Sequence, residues 1–381
     1  MRWHAVGIPG IAAAAIALIA LIALIALLLW RHPVDDQAAI RLIPVSFGDI
    51  EGWARDDHQA ALRALRKSCR KRPKSNDACQ EVLKLGEHAD AAAARRFFET
   101  HFVPHRVAAE EPGLVTGYYE PEVAGSRERT SESQIPVYGR PDDLVQVTPD
   151  ELRAFYNAGF SVGRRNGDAL EPYYTRAEID AGALEGQGLE LLYLDDAIEL
   201  FFMQIQGSGR VLFPDGSWVR LGYAAKNGHS YASIGKLLAE RGEKPPGGLT
   251  MEGLKGWLRA DPERGRTLMH ENKSYIFFHV LPERQAGDGP IGAQGVALTP
   301  GRSLAVDAAY HKLGTPVFVA APKAPTPDGK PFRRLMIAQD VGSAIRGKER
   351  GDIYWGSGAK AGAIAGITKT EARFYILLPK T

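Results

Sequence analysis

Cysteine is nearly missing from this sequence, and so is net charge. Only Cys69 and Cys79 occur, with no C-x-x-C, no H-E-x-x-H and no paired Cys/His spacing, so a zinc or other metal site has no support. Lys and Arg number 47 against 45 Asp and Glu, a formal charge of +2, which argues against a nucleic-acid partner. The nucleophile motif G-x-S-x-G is absent, and Gly228 to Lys236 lacks phosphate-loop spacing, with Leu237 where a hydroxyl is needed. Ser-x-x-Lys occurs at Ser68–Lys71, Ser233–Lys236 and Ser357–Lys360, and a spacing found three times has little specificity. The acid-free basic run Arg63 to Lys74 reads as a solvated helix face rather than an anionic-surface contact.

Against these absences stands one long apolar run. Ala5 to Trp30 carries no charge, and Ile11 to Trp30 is 20 residues of almost pure Ala, Ile and Leu, enough to cross a bilayer. The run ends on Leu29-Trp30-Arg31 without a small-residue cleavage site, so residues 5–30 read as an uncleaved anchor in preference to a cleaved signal that would leave a soluble body. The positive-inside rule weakly places the body outside the cytoplasm. Both cysteines then sit in the exported part, ten residues apart. A local disulfide there would contribute on the order of 3 kcal/mol; two separately buried thiols are the equal alternative.

With 381 residues there is room for about two domains beyond the anchor. After a linker, helical periodicity over Trp53 to Arg70, a cap at Asn76-Asp77 and a cap at Asp90 predict a small helical bundle. From Gly113 the texture changes to short β-rich segments, with capping boxes at Thr148-Pro149-Asp150-Glu151 and Thr175-Arg176-Ala177-Glu178 and a hairpin at Arg210 to Leu221. Helices return between Tyr231 and Asn272, with Leu237, Leu238, Leu254, Trp257 and Leu258 as candidate core. From Tyr275 onward short apolar strands dominate, and their number and spacing suggest a closed barrel rather than a βαβ sheet.

Three aspartates sit at the edges of these last strands: Asp307 after Leu304-Ala305-Val306, Asp340 after Met336-Ile337-Ala338-Gln339, and Asp352 before Ile353-Tyr354-Trp355. Each is as good a turn cap as a functional group. Glycoside chemistry needs a carboxyl group still protonated near neutrality, so an Asp of reference pKa about 3.9 must be raised by burial or by a second carboxylate. Tyr354 and Trp355 beside Asp352, and Asp340 twelve residues away, offer both.

Six ordered motifs carry a resemblance: Gly117-Tyr118-Tyr119-Glu120-Pro121, Ile135-Pro136-Val137-Tyr138, Met203 to Arg210, Gly222-Tyr223-Ala224-Ala225-Lys226-Asn227-Gly228, Gln339 to Gly347, and Gly351-Asp352-Ile353-Tyr354-Trp355-Gly356-Ser357-Gly358. From about Arg41 to its end the chain resembles the membrane-bound lytic murein transglycosylase A family, including its C-terminal 3D domain. The resemblance implies a mainly β, α+β architecture: a double-ψ β-barrel domain into which a second β-domain is inserted. Segments follow as 1–40 anchor or signal with linker, 41–113 the helical part of the barrel domain, 114–235 the inserted β-domain, and 236–381 the rest of the barrel domain.

It also implies an enzyme without cofactor that cleaves peptidoglycan between N-acetylmuramic acid and N-acetylglucosamine and leaves 1,6-anhydromuramic ends. Asp352 matches the family's single acid/base, Asp340 and Asp307 match its other aspartates, and Thr116, Tyr118, Gln206 and Ser208 stand in motifs expected to line the glycan groove. Asp352 and Asp340 are therefore the candidate catalytic residues, with Thr116, Tyr118, Gln206, Ser208 and Asp307 as candidate substrate contacts. The expected partners are glycan strands, the membrane through the apolar segment, and cell-wall synthesis or division proteins; the expected place is the periplasmic side of the inner membrane. Many members are lipoproteins, but no cysteine precedes Cys69, so lipid anchoring is not expected. The competing reading is a non-catalytic peptidoglycan-binding scaffold.

Overall fold

The computed structural model describes residues 40–73, 77–86, 89–109, 111–148, 162–167, 169–282 and 289–380. The expected anchor at residues 5–30 and the capping box at Thr148-Pro149-Asp150-Glu151 therefore lie outside the described residues, the latter all but its first residue. No helix among the described residues is long and apolar enough to cross a membrane.

Three helices lead the described body: α1 (His58–Lys71), α2 (Asp77–Lys84) and α3 (Ala91–His101). The first begins five residues later than its apolar periodicity predicts. Asp57 caps it by accepting the Ala60 N–H at 3.0 Å, while the preceding Asp56 is taken by a buried pair with Arg302 and by the Leu335 N–H. Trp53, Leu65, Val82, Phe97 and Phe98 form one cluster with Phe318, Leu335 and Leu377, so the helices pack on one another as expected and share their core with the later strands.

Cys69 and Cys79 are buried and joined as a disulfide, with Cα atoms 5.1 Å apart, which removes the alternative of separate thiols. Replacing both by serine is expected to lower unfolding free energy by up to about 3 kcal/mol, read as a urea-midpoint shift that reduction of the native protein reproduces. In the basic run Arg63, Arg70, Lys71 and Arg72 form the expected exposed face, but two residues depart from it. Arg66 is buried and donates to the carbonyls of Val82, Leu85 and Gly86, closing the C-terminal end of α2. Lys67 reaches Ala297 O and Thr299 Oγ1.

In chain order the strands begin with β1 (Leu42–Pro44) and β2 (Phe102–Val107), then β3 (Gly113–Glu120). An excursion follows: β4 (Glu122–Ser126), β5 (Ile135–Tyr138), β6 (Leu144–Gln146), β7 (Val162–Asn166), β8 (Ala169–Pro172), β9 (Glu190–Leu194), β10 (Ser208–Leu212), β11 (Trp218–Lys226) and β12 (Ile276–Leu281). The chain returns with β13 (Ser303–Val306), β14 (Pro316–Ala321), β15 (Phe332–Val341), β16 (Arg350–Ser357) and β17 (Lys369–Pro379).

Six of these close on themselves in the order β17-β14-β15-β13-β16-β3, with β3 returning to β17. The pairs β13/β15 and β16/β3 are parallel and the others antiparallel. Strand β17 makes closure possible because it is long: Lys369–Ala372 pair with β3, Arg373–Ile376 with β14, and Tyr375–Pro379 with β2. The expected barrel with an inserted β-domain is thus present, the insert being a six-stranded sheet ordered β12-β11-β10-β4-β9-β5 with a three-stranded β6-β7-β8 ribbon. The hairpin foreseen at Arg210 to Leu221 is β10/β11.

Pairing draws the division differently from the expected 114–235. Gly113–Glu120 belongs to the barrel, and Ile276–Leu281 belongs to the insert, where Tyr223 stands opposite Phe278. Both segments have the same local texture as their neighbours, and only the long-range partner decides which sheet takes them.

Helices of the excursion complete the insert side. These are α4 (Arg176–Asp180), opened by the Thr175–Glu178 capping box, then α5 (Ala197–Gln206), α6 (Ile234–Glu240), α7 (Met251–Ala260) and α8 (Pro262–Glu271); α9 (Gly358–Ile367) follows β16. Of the candidate core there, Leu238, Trp257 and Leu258 are buried, and Leu237 and Leu254 pack partly exposed against them.

Candidate functional site

Parallel pairing of β16 with β3 sets Asp352 level with Thr116 and Tyr354 level with Tyr118. Strand alternation then puts Thr116 and Tyr118 on one face, beside Asp352 and in reach of the end of β15. The approach of β3 to β16 is close: a Cβ on Gly117 would lie 2.6 Å from Trp355 Nε1, so only glycine allows it. Asp340 is the next-to-last residue of β15, Asp352 is the third of β16, and Asp307 directly follows β13.

Asp352 Oδ1 accepts the Thr116 hydroxyl at 2.6 Å, and Arg350 Nη2 donates to the same hydroxyl at 2.9 Å. Asp340 is held by three donors: Tyr118 OH at 2.9 Å on Oδ2, and the Ala293 and Val341 N–H groups at 2.9 and 3.0 Å on Oδ1. Both carboxyls open onto a cleft between barrel and insert. Its lobes of about 250 and 470 Å³ share Tyr118, Gln206, Tyr231, Asp340, Gly342 and Ser343, and Asp352 lines the smaller.

Burial pushes the Asp352 carboxyl up to about 6. The Thr116 hydrogen bond and the Arg350 charge pull the other way, and the neighbouring Asp340 adds to the rise. Burial also raises Asp340, against its three hydrogen bonds. Tyr118 is held well above its usual range by burial and by Asp340, so it remains a neutral donor. The arrangement therefore offers one carboxyl that exchanges a proton near neutrality and a second whose oxygens are already engaged.

Five of the seven candidates line this cleft, Asp352, Asp340, Tyr118, Ser208 and Gln206, and Thr116 stands behind Asp352. Thr116 and Tyr118 hold the two aspartates, Ser208 lines the larger lobe, and Gln206 Oε1 accepts the Tyr119 N–H at 3.1 Å. Gly207, at φ +80°, ends α5 in the left-handed conformation and turns the chain directly from Gln206 into Ser208. Asp307 is not among the lining residues. It is buried under the 342–349 loop, accepting the Gly347 N–H at 2.9 Å and the Ala309 N–H at 3.1 Å. Burial alone would raise its pKa, but these bonds and Arg346 together hold it below the usual value.

A group with a lowered folded pKa stabilises above its unfolded pKa and loses that contribution as pH falls through the folded one. The stability difference between wild type and Asp307→Asn is therefore expected to be full above about pH 5 and to shrink below about pH 4, measured as urea midpoints across that range.

Three other cleft residues escaped the reading of the sequence: Arg350, Tyr231 and Lys226, the last with its pKa lowered by burial and by Arg346. Arg350 sits two residues before Asp352 and was the one with a positional signal, since i and i+2 share a face of a strand. The three Ser-x-x-Lys serines are otherwise occupied. Ser68 Oγ donates to Gln294, Ser233 caps α6, and Ser357 Oγ donates to Glu120.

A closed barrel of mixed pairing that presents a buried acid across a cleft to an inserted β-domain defines a class, and both parts match known domains: residues 302–378 the 3D domain, and residues 114–279 the MltA specific insert domain. The crystal structure of a membrane-bound lytic murein transglycosylase from Agrobacterium tumefaciens is 37% identical and superposes with a TM-score of 0.81 over 89% of this chain and 97% of that one. The chain belongs to the membrane-bound lytic murein transglycosylase A family. The Vibrio cholerae member is 34% identical over 270 residues, 69% of this chain, which spans 65% of that relative's length. A structure of the Escherichia coli member with bound chitohexaose is 28% identical with a TM-score of 0.63, over 91% of this chain and 93% of that one.

Proposed function

We propose that the protein is a peptidoglycan lytic transglycosylase that cleaves between N-acetylmuramic acid and N-acetylglucosamine, with Asp352 as its acid and base. The observation that carries this is a single carboxyl poised at about 6 on the floor of a cleft between two domains. A protonated Asp352 gives its proton to the bridging oxygen as the C1–O bond of muramic acid breaks. The resulting carboxylate then takes the proton of the muramic 6-hydroxyl, whose oxygen bonds to C1 and closes the 1,6-anhydro ring. Atoms balance without water, and the acid is regenerated.

One carboxylate suffices because the nucleophile is part of the substrate and already held near C1. Asp340, kept in place by Tyr118 and two backbone N–H groups, is suited to oppose the positive charge that develops at C1. Gln206 and Ser208 line the path of the strand, with Thr116 behind Asp352; the hexasaccharide of N-acetylglucosamine bound by the Escherichia coli relative supports a cleft shaped for such glycans.

Family membership also supports a place in the cell envelope. We assign residues 5–30 as an inner-membrane anchor that leaves the body on the periplasmic side; protease treatment of spheroplasts is expected to degrade the body, and its protection would overturn the assignment.

Digestion of purified sacculi with residues 42–381 tests the activity. Released muropeptides lighter by one water than hydrolase products are expected. Sacculi bound but unchanged would instead identify a scaffold, and free amino groups a peptidase.

A further inference from the structure

A hydroxyl group has one proton to give and two lone pairs to offer. The Thr116 hydroxyl has two partners in the structure: it receives a hydrogen bond from Arg350 Nη2 at 2.9 Å and gives its own proton to Asp352 Oδ1 at 2.6 Å. The Arg350 guanidinium is itself pinned, its Nη1 donating to the carbonyl of Gly351 in the same strand. Arginine cannot accept, so the direction of the whole relay is set from one end.

We propose that Arg350 is a positioning residue which, through Thr116, commits Asp352 Oδ1 to accepting and so leaves Oδ2 as the oxygen that carries the transferable proton. The proposal rests on Asp352 being the acid and adds which of its oxygens works and what decides it. Without the relay the Thr116 hydroxyl is free to rotate, the carboxyl proton is shared between two oxygens, and only one of them points the proton usefully.

The charged and titratable groups facing Asp352 are few. Arg350 lies on its own strand, Tyr118 on β3, and Asp340 on β15; β13 presents Ala305. Arg350 is the one cation among these, and its charge favours the ionised carboxylate. Removing it has two separable consequences. Loss of the charge raises the Asp352 pKa; loss of the donor releases Thr116.

Two variants divide these consequences. In Arg350→Met both are lost, whereas Arg350→Gln keeps an amide donor for Thr116 without charge. The expected result on sacculi is a kcat about tenfold lower in Arg350→Met with KM within about twofold of wild type, and a substantial return of kcat in Arg350→Gln. In both variants the pH at which activity falls on the alkaline side moves upward. Carbon-detected NMR of the Asp352 carboxyl follows the same shift without any turnover, so an upward Asp352 pKa in both variants supports the action of the Arg350 charge on Asp352 even if the products prove not to be anhydromuropeptides, while the difference in kcat between the two variants reports the relay through Thr116. Unmoved pKa values in folded variants would overturn the proposal, as would a loss confined to KM. Equal kcat values for the Gln and Met variants would overturn the Thr116 part of it.

Discussion

Asp352→Asn is expected to remove the release of anhydromuropeptides from sacculi, by at least about a hundredfold and up to about ten-thousandfold. Asparagine has nearly the same shape and still accepts from Thr116, so a folded variant isolates the loss of the proton. The acid form is the active one at the first step. With a pKa of about 6, about a tenth of Asp352 is protonated at pH 7. Activity per enzyme should accordingly level off below pH 6 and fall about tenfold per unit well above it.

The sign follows from burial, which disfavours the charged carboxylate; an unperturbed aspartate would have lost its proton, and its activity, two units lower. Asp340→Asn is the matched control. Its carboxyl is spoken for by three donors, so its replacement should lower kcat by weakening charge stabilisation while leaving the alkaline limb governed by Asp352. If Asp352→Asn retained activity and Asp340→Asn did not, the roles would be reversed.

The second large effect is expected at Glu120, the last residue of β3. Its carboxylate is fully buried, paired with Arg220 at 2.7 Å and Arg210 at 3.0 Å, and receives the Ser357 hydroxyl at 2.6 Å. Arg220 is only 2% exposed. These four residues come from β3 and β16 of the barrel and from β10 and β11 of the insert, so one carboxylate bonds both parts of the body. Forming such a cluster gains little over an apolar packing, because taking the charges out of water costs about as much as their attraction returns. Breaking it is different. Glu120→Ala takes the nearest counter-charge from the buried Arg220 guanidinium, while Arg210 keeps its pair with Glu122 at 3.0 Å, and a loss of about 3–5 kcal/mol is expected in urea unfolding.

Removing an exposed pair such as Lys236 and Glu240, 3.6 Å apart and largely in solvent, should change stability by less than about 0.5 kcal/mol. A comparable result for both would show that the buried cluster relaxes or admits water.

Much of this protein is local and was therefore readable along the chain. Asp90 and the Thr175–Glu178 box cap helices through contacts three residues away, and Pro214-Asp215-Gly216 turns β10 into β11. Each short apolar strand of the last eighty residues forms where its composition says. The candidate acids were legible too, because six ordered motifs and their family carry them. Periodicity over Trp53 to Arg70 overran its helix start because it registers burial, and Trp53 is buried in a separate 3-10 helix, Trp53–Arg55, ahead of the α-helix.

Chain order carries no information about partners that lie far off. Gly113–Glu120 and Ile276–Leu281 change sides relative to the expected 114–235 division, since sheet membership is settled by strands fifty or more residues away. The fate of Arg66 followed the same logic: a cation in a basic run is buried because α2 returns its last carbonyls to that spot. So did that of Asp307, drawn under a loop forty residues on. Composition, periodicity and motif specified the elements and the chemical groups. Which aspartate is desolvated, which is saturated with donors, and which braces a loop depended on tertiary packing, because desolvation and hydrogen bonding are properties of a group's surroundings and not of its neighbours in sequence.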